Sequence, residues 1–130
     1  LEVINHLADE EREDFRTRVD MTLHQPASEW PPIHPGGWVT ARSYNQRDLN
    51  ESLRRFQTER KTSLDWLRSL QSPDWESTHT RPSFGSDRAG DMMAAWVAHD
   101  LLHIRQLNEL HYAYLVADVT PYRVDYAGDW

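Results

Sequence analysis

The chain has 130 residues, 38% of them apolar and 27% charged, which suits one soluble globular domain with a single core. Zero cysteines exclude a disulfide framework, a thiolate nucleophile and a sulfur metal site, and fit a cytoplasmic location. A net charge of −7, with no basic run at either end, argues against a nucleic-acid partner. No apolar stretch approaches the roughly 20 residues that a membrane span requires, and no basic-plus-apolar leader is visible.

The first predicted helix covers roughly residues 1–20. Val3, Leu7, Phe15 and Val19 fall near one stripe, and Glu10, Glu11, Arg12, Glu13, Asp14 and Arg16 supply a charged remainder. It opens without an N-cap, as if inside a helical pattern, so residues 1–130 are expected to form one domain that is incomplete at its N-terminus. Residues 24–44 carry Pro26, Pro31, Pro32, Pro35, Gly36 and Gly37, which preclude long regular structure; Trp30, Trp38 and Tyr44 are expected to pin this loop down. The second helix runs from about Asn45 to Leu70, with Leu49, Leu53, Phe56, Leu64 and Leu67 as its stripe. A second loop spans residues 71–88 and includes Pro73, Pro82 and Gly85.

The third helix runs from about Ala89 to Ala117, with Ser86 or Asp87 as candidate N-cap. Met92, Trp96, His99, His103, Leu107 and Leu110 form its stripe, widened by Val97, Leu101 and Ile104, so it should be the most buried of the three. The tail after Asp118 is aromatic enough to pack. Three long helices joined by crossing loops suggest an all-α, antiparallel bundle, for which four helices make the commoner closed solution.

Within the third helix, Trp96-Val97-Ala98-His99-Asp100-Leu101-Leu102-His103-Ile104-Arg105-Gln106 places two histidines one turn apart on one face. Two such imidazoles can grip a divalent metal if another element supplies a further ligand. The competing reading is a pair of hydrogen-bonded core histidines, since burying both rings without partners would cost about 1–3 kcal/mol each. His6, on the first helix, is the lone histidine that could complete the set.

These residues, with Asn5-His6-Leu7-Ala8-Asp9-Glu10-Glu11, Pro35-Gly36-Gly37-Trp38, Asp48-Leu49-Asn50-Glu51-Ser52-Leu53, Phe84-Gly85 and the ending Tyr126-Ala127-Gly128-Asp129-Trp130, resemble the DinB-like (DinB/YfiT) superfamily of bacterial proteins. The resemblance implies an up-down-down-up four-helix bundle whose first helix would precede Leu1. It also implies a divalent metal, often nickel or zinc, held at positions matching His6, His99 and His103. Relatives of this kind include thiol-dependent S-transferases that use bacillithiol or mycothiol, a maleylpyruvate isomerase and metal-dependent hydrolases. Homodimers would be unremarkable among them.

Three imidazoles without a fourth protein ligand leave a coordination position open, the arrangement of catalytic sites. An ion there could polarise a carbonyl or activate water or a small thiol. The residues nominate no catalytic nucleophile, and no organic cofactor is implied. Asp9 and Glu10 could orient a ligand ring, although a solvated acidic face continuing through Glu11, Glu13 and Asp14 is the simpler assignment. Gln106 could line the pocket, Trp96 could wall it, and Arg105 belongs to the surface. His24, His34, His79 and His111 read as ordinary surface residues.

Two function classes follow. One is a metal-dependent hydrolase or thiol-dependent transferase acting on a small molecule. The alternative is a non-catalytic helical module whose metal site is vestigial or empty.

Overall fold

From Glu2 to His24 the chain is helical throughout: α1 (Glu2–Glu10), a π-helical segment (Glu11–Arg16) and α2 (Thr17–His24). Leu7, Glu11, Phe15 and Val19 are all buried, at a strict four-residue interval. In a pure α-helix four residues overshoot one turn by about 40°, so such a line drifts around the cylinder. The wider i→i+5 turn drifts the other way and holds the four side chains in one row. The computed structural model describes residues 1–81 and 85–130, so Pro82 and Phe84 lie outside the described residues.

Contacts divide the chain into two compact units, residues 1–97 and 98–130. In the first, α1 and the π-helical segment pack along α4 (Leu49–Ser69). Asp48 caps α4: its Oδ1 accepts from the Glu51 amide at 2.9 Å, which is why the helix begins at Leu49 rather than at the expected Asn45. Tyr44–Gln46 form a separate 3-10 turn ahead of that cap.

Cross-helix partners advance together. Asn5 Nδ2 donates to Ser52 Oγ at 3.0 Å, Arg16 Nη1 to Ser63 Oγ at 3.0 Å, and Trp66 Nε1 to Asp20 Oδ1 at 3.2 Å. The two helices are therefore parallel, which corrects the antiparallel pairing suggested by helix count. It agrees with the central down-down pair implied by the family resemblance. The long connection over residues 25–48 makes this geometry accessible, because it can return the chain to the starting end.

The α4 face turned to α1 and the π-helical segment is also not the predicted leucine stripe. Ser52 and Ser63 are buried, whereas Leu49 and Leu64 are exposed. Small hydroxyl side chains let arginines and carboxylates reach across the interface. Ser63→Ala, which removes one acceptor from Arg16 while leaving its ion pair with Glu59 at 2.7 Å, should cost about 0.5–1.5 kcal/mol in urea unfolding.

The proline-rich connection contains one short helix, α3 (Pro35–Ala41), started by Pro35 at its first position. A Cβ at Gly37 would stand 2.2 Å from the exposed His34 ring, so a larger residue there would require that ring to move. Trp38 and Tyr44 are buried as expected. Trp30 is held as well, its ring stacked on His79 with centroids 4.2 Å apart.

The second connection holds a hairpin that sequence patterning missed. β1 (Thr78–Arg81) pairs antiparallel with β2 (Gly85–Arg88), Thr78 opposite Arg88 and Arg81 opposite Gly85. Ser86 and Asp87 consequently belong to a strand, where Ser86 Oγ meets Thr80 Oγ1 and Asp87 pairs with Arg81, and neither caps the following helix.

That helix, α5, runs from Ala89 to Asp118. Its first turns complete the core of the first unit. Trp96 is buried with Phe15 and Val19, stacked on Phe15 at 5.7 Å, and ringed by Leu23, Trp66, Trp75, Met92 and Met93.

The second unit contains the remainder of α5 and the tail. Here α5 is not the most buried helix: Leu101, Leu102, Ile104, Leu107 and Leu110 are all exposed. Apolar residues on this stretch surround the helix, and one helix with a short tail cannot cover every side. In the tail, Trp130 stacks on Tyr112 at 4.6 Å, but Tyr122 and Tyr126 are exposed rather than packed. Among the described residues, no helix is long and apolar enough to cross a membrane.

Candidate metal centre

The α-helical register of α5 alone sets the first two donors. His99 and His103 are half-buried, and their rings meet edge to face with centroids 4.4 Å apart. Their Nε2 atoms are separated by 3.0 Å. Two metal–nitrogen bonds of about 2.0–2.1 Å, at angles between octahedral and tetrahedral, bring their nitrogens to about 2.9–3.4 Å. The pair already has that spacing. Gln106, one turn further along, places Oε1 2.8 Å from His103 Nδ1, so it contacts a candidate ligand from behind.

His6 lies on α1, with its Nε2 3.4 Å from Oε2 of the buried Glu10. Among the described residues, His6, His99 and His103 are a histidine group that could hold a metal ion. The donors suit a borderline divalent ion, because imidazole binds zinc and nickel well and no thiolate competes.

A family model described as the DinB superfamily matches residues 1–107. The chain belongs to the DinB superfamily. No curated protein matches it. Membership assigns the helical-bundle class and agrees with the three-histidine group of this DinB-superfamily chain.

The acidic run beside His6 is where the predicted surface gives way to a buried network. Asp9 is 0% and Glu11 2% exposed, with Glu10 and Asp14 buried as well. This overturns the solvated-face assignment. Asp9 accepts from the Tyr44 hydroxyl and from Arg55, and pairs with Arg42 at 2.8 Å. Glu11 pairs with Arg60 at 2.9 Å and accepts from Trp96 Nε1 at 3.0 Å.

Burial alone would raise the Asp9 carboxyl, but hydrogen bonds from Tyr44, Arg55 and Arg42 more than offset it and hold the group below the ordinary carboxylate range. The same burial, reinforced by the Asp9 contact, pushes the Tyr44 phenol upward, so it remains a donor. Arg42 also grips Glu13 through both carboxylate oxygens, at 2.9 and 2.8 Å, and that bond lowers the Glu13 carboxyl.

Two further assignments change. Trp96 is a core residue that stacks on Phe15 and donates to Glu11, so its burial is explained without a ligand. His79 is buried, its Nδ1 3.0 Å from the Pro26 carbonyl, and is no surface histidine. Arg105 is on the surface as expected, beside Glu109 at 3.3 Å.

Nothing in the one-dimensional pattern identified the Asp9 hub. Its partners Arg42, Tyr44 and Arg55 lie far along the chain, and a run of acids beside arginines reads equally well as solvated.

Proposed function

We propose that this chain is a metal-dependent member of its superfamily, with His6, His99 and His103 holding one nickel or zinc ion and a small molecule as substrate. The observation that carries the reading is the His99–His103 pair, its Nε2 atoms 3.0 Å apart at ligand–ligand spacing, to which His6 adds a third candidate donor. When bound, the ion would supply a Lewis acid able to polarise a carbonyl or activate water or a thiol.

The chain's own contributions are orientation and charge. Gln106 holds the His103 ring, and the buried Glu10 carboxylate faces His6, where it can steady that ring or accept a proton. The chain has no cysteine, and in this reading the attacking group comes from outside: water in a hydrolase, or a low-molecular-weight thiol in a transferase. A small-molecule substrate also suits a chain of net charge −7 better than a nucleic acid does.

Elemental analysis of protein purified without a metal-affinity column should return about one equivalent of nickel or zinc. Parallel screens should then detect either ester and amide hydrolysis or thiol conjugation, each abolished by chelation and restored by the metal. Absence of metal after both native purification and reconstitution would overturn the proposal. Stoichiometric metal without turnover in either screen would leave a binding module.

A further inference from the structure

Resting on that metal-site reading, we propose that Gln106 is a positioning residue that fixes the tautomer of His103 and thereby makes His103 the preset ligand of the pair. A neutral imidazole carries one N–H and one bare nitrogen, and which is which depends on the partners. Gln106 Oε1, 2.8 Å from His103 Nδ1, can only accept, so Nδ1 bears the hydrogen and Nε2 keeps its lone pair.

The neighbouring contact then has one solution. His103 Nε2 and His99 Nε2 are 3.0 Å apart, and one of them must donate in the metal-free chain. With His103 Nε2 bare, the donor is His99. The two histidines are chemically unequal despite their symmetric spacing. His103 already presents a lone pair at the centre, while His99 must surrender its Nε2 proton before it can ligate.

Local helix geometry explains how Gln106 does this. It sits three residues beyond His103 on the same face of α5, so the contact needs no other element. Gln106 is exposed, so packing does not account for its placement. An amide also orients the ring without adding a negative charge beside the ion.

The test uses the full chain with uniform nitrogen-15 labelling. In metal-free wild type at mildly alkaline pH, long-range proton–nitrogen spectra should show His103 protonated at Nδ1 and bare at Nε2, with His99 protonated at Nε2. Gln106→Leu should lose that His103 signature and weaken zinc binding roughly 10–100-fold in competition with a chromogenic chelator. Gln106→Glu, which restores an acceptor, should recover both, with unchanged far-ultraviolet circular dichroism in each variant.

Finding His103 protonated at Nε2 in wild type would overturn the proposal, as would Gln106→Leu with unaltered tautomer and affinity. Correct tautomers in a wild type that binds no zinc would instead sink the metal reading, and with it the ligand role of that lone pair.

Discussion

His103→Ala should abolish stoichiometric metal binding while leaving the chain folded. Two remaining imidazoles, one on α1 and one on α5, make a poorly constrained site. The fold is expected not to depend on a bound ion. Buried Phe15, Val19 and Trp96, together with the ion-pair ladder between α1 and α4, hold the first unit without reference to it.

Binding linkage adds only about 2.7 kcal/mol when free metal stands at 100 times its dissociation constant. Chelation of wild type should therefore lower the melting temperature by roughly 10 °C, given about 4 °C per kcal/mol for a chain of this size. Helicity at room temperature should not change. Circular dichroism and calorimetry on the variant and on chelated wild type measure both quantities. Unfolding on chelation would make the metal a structural staple rather than a reagent.

Asp9→Ala should be the most damaging single substitution in the α1–α4 interface, costing about 3–5 kcal/mol. Removing one member of a buried ion cluster strands the others, and here Arg42, Arg55 and the Tyr44 hydroxyl all lose a common acceptor. Both arginines are about a quarter exposed, which lets water compensate in part and favours the lower end of that range. The melting temperature should fall by roughly 10–20 °C.

The pH dependence follows from the depressed carboxyls. Asp9 and Glu13 titrate below their unfolded values of 3.8 and 4.5, so the stability they contribute is present above those values. It is lost as pH falls through the lower folded-state values. The share of wild-type stability that these two carboxylates contribute should be nearly flat from neutral pH to about 5 and decline below about 4. Asp9→Asn should already be destabilised at neutral pH and show a shallower decline. An equal acid slope in wild type and Asp9→Asn, measured by urea unfolding across that range, would show that Asp9 is not a source of the acid sensitivity.

The helices and the His99–His103 pair could be read locally because their determinants are local. Asp48 and Glu51 mark the start of α4 within four residues, and a one-turn spacing places two imidazoles on one face of any α-helix. His6 is different. No periodicity links it to α5, and only resemblance to a family singles it out as the third candidate ligand.

Tertiary structure alone decided which charges are buried. Glu11 and Asp9 carry the same one-dimensional signal as solvated acids, and what changes their meaning is Arg60 and Arg55 arriving from a parallel α4. It also decided that Ser52 and Ser63, not Leu49 and Leu64, face the neighbouring helix, because that interface must admit hydrogen-bonding arginines. Composition made α5 the expected centre of the core, yet burial depends on neighbours. Trp96 has them, whereas Leu101 and Leu110 stand exposed on the same helix. Periodicity is a property of a segment, and burial is a property of what surrounds it.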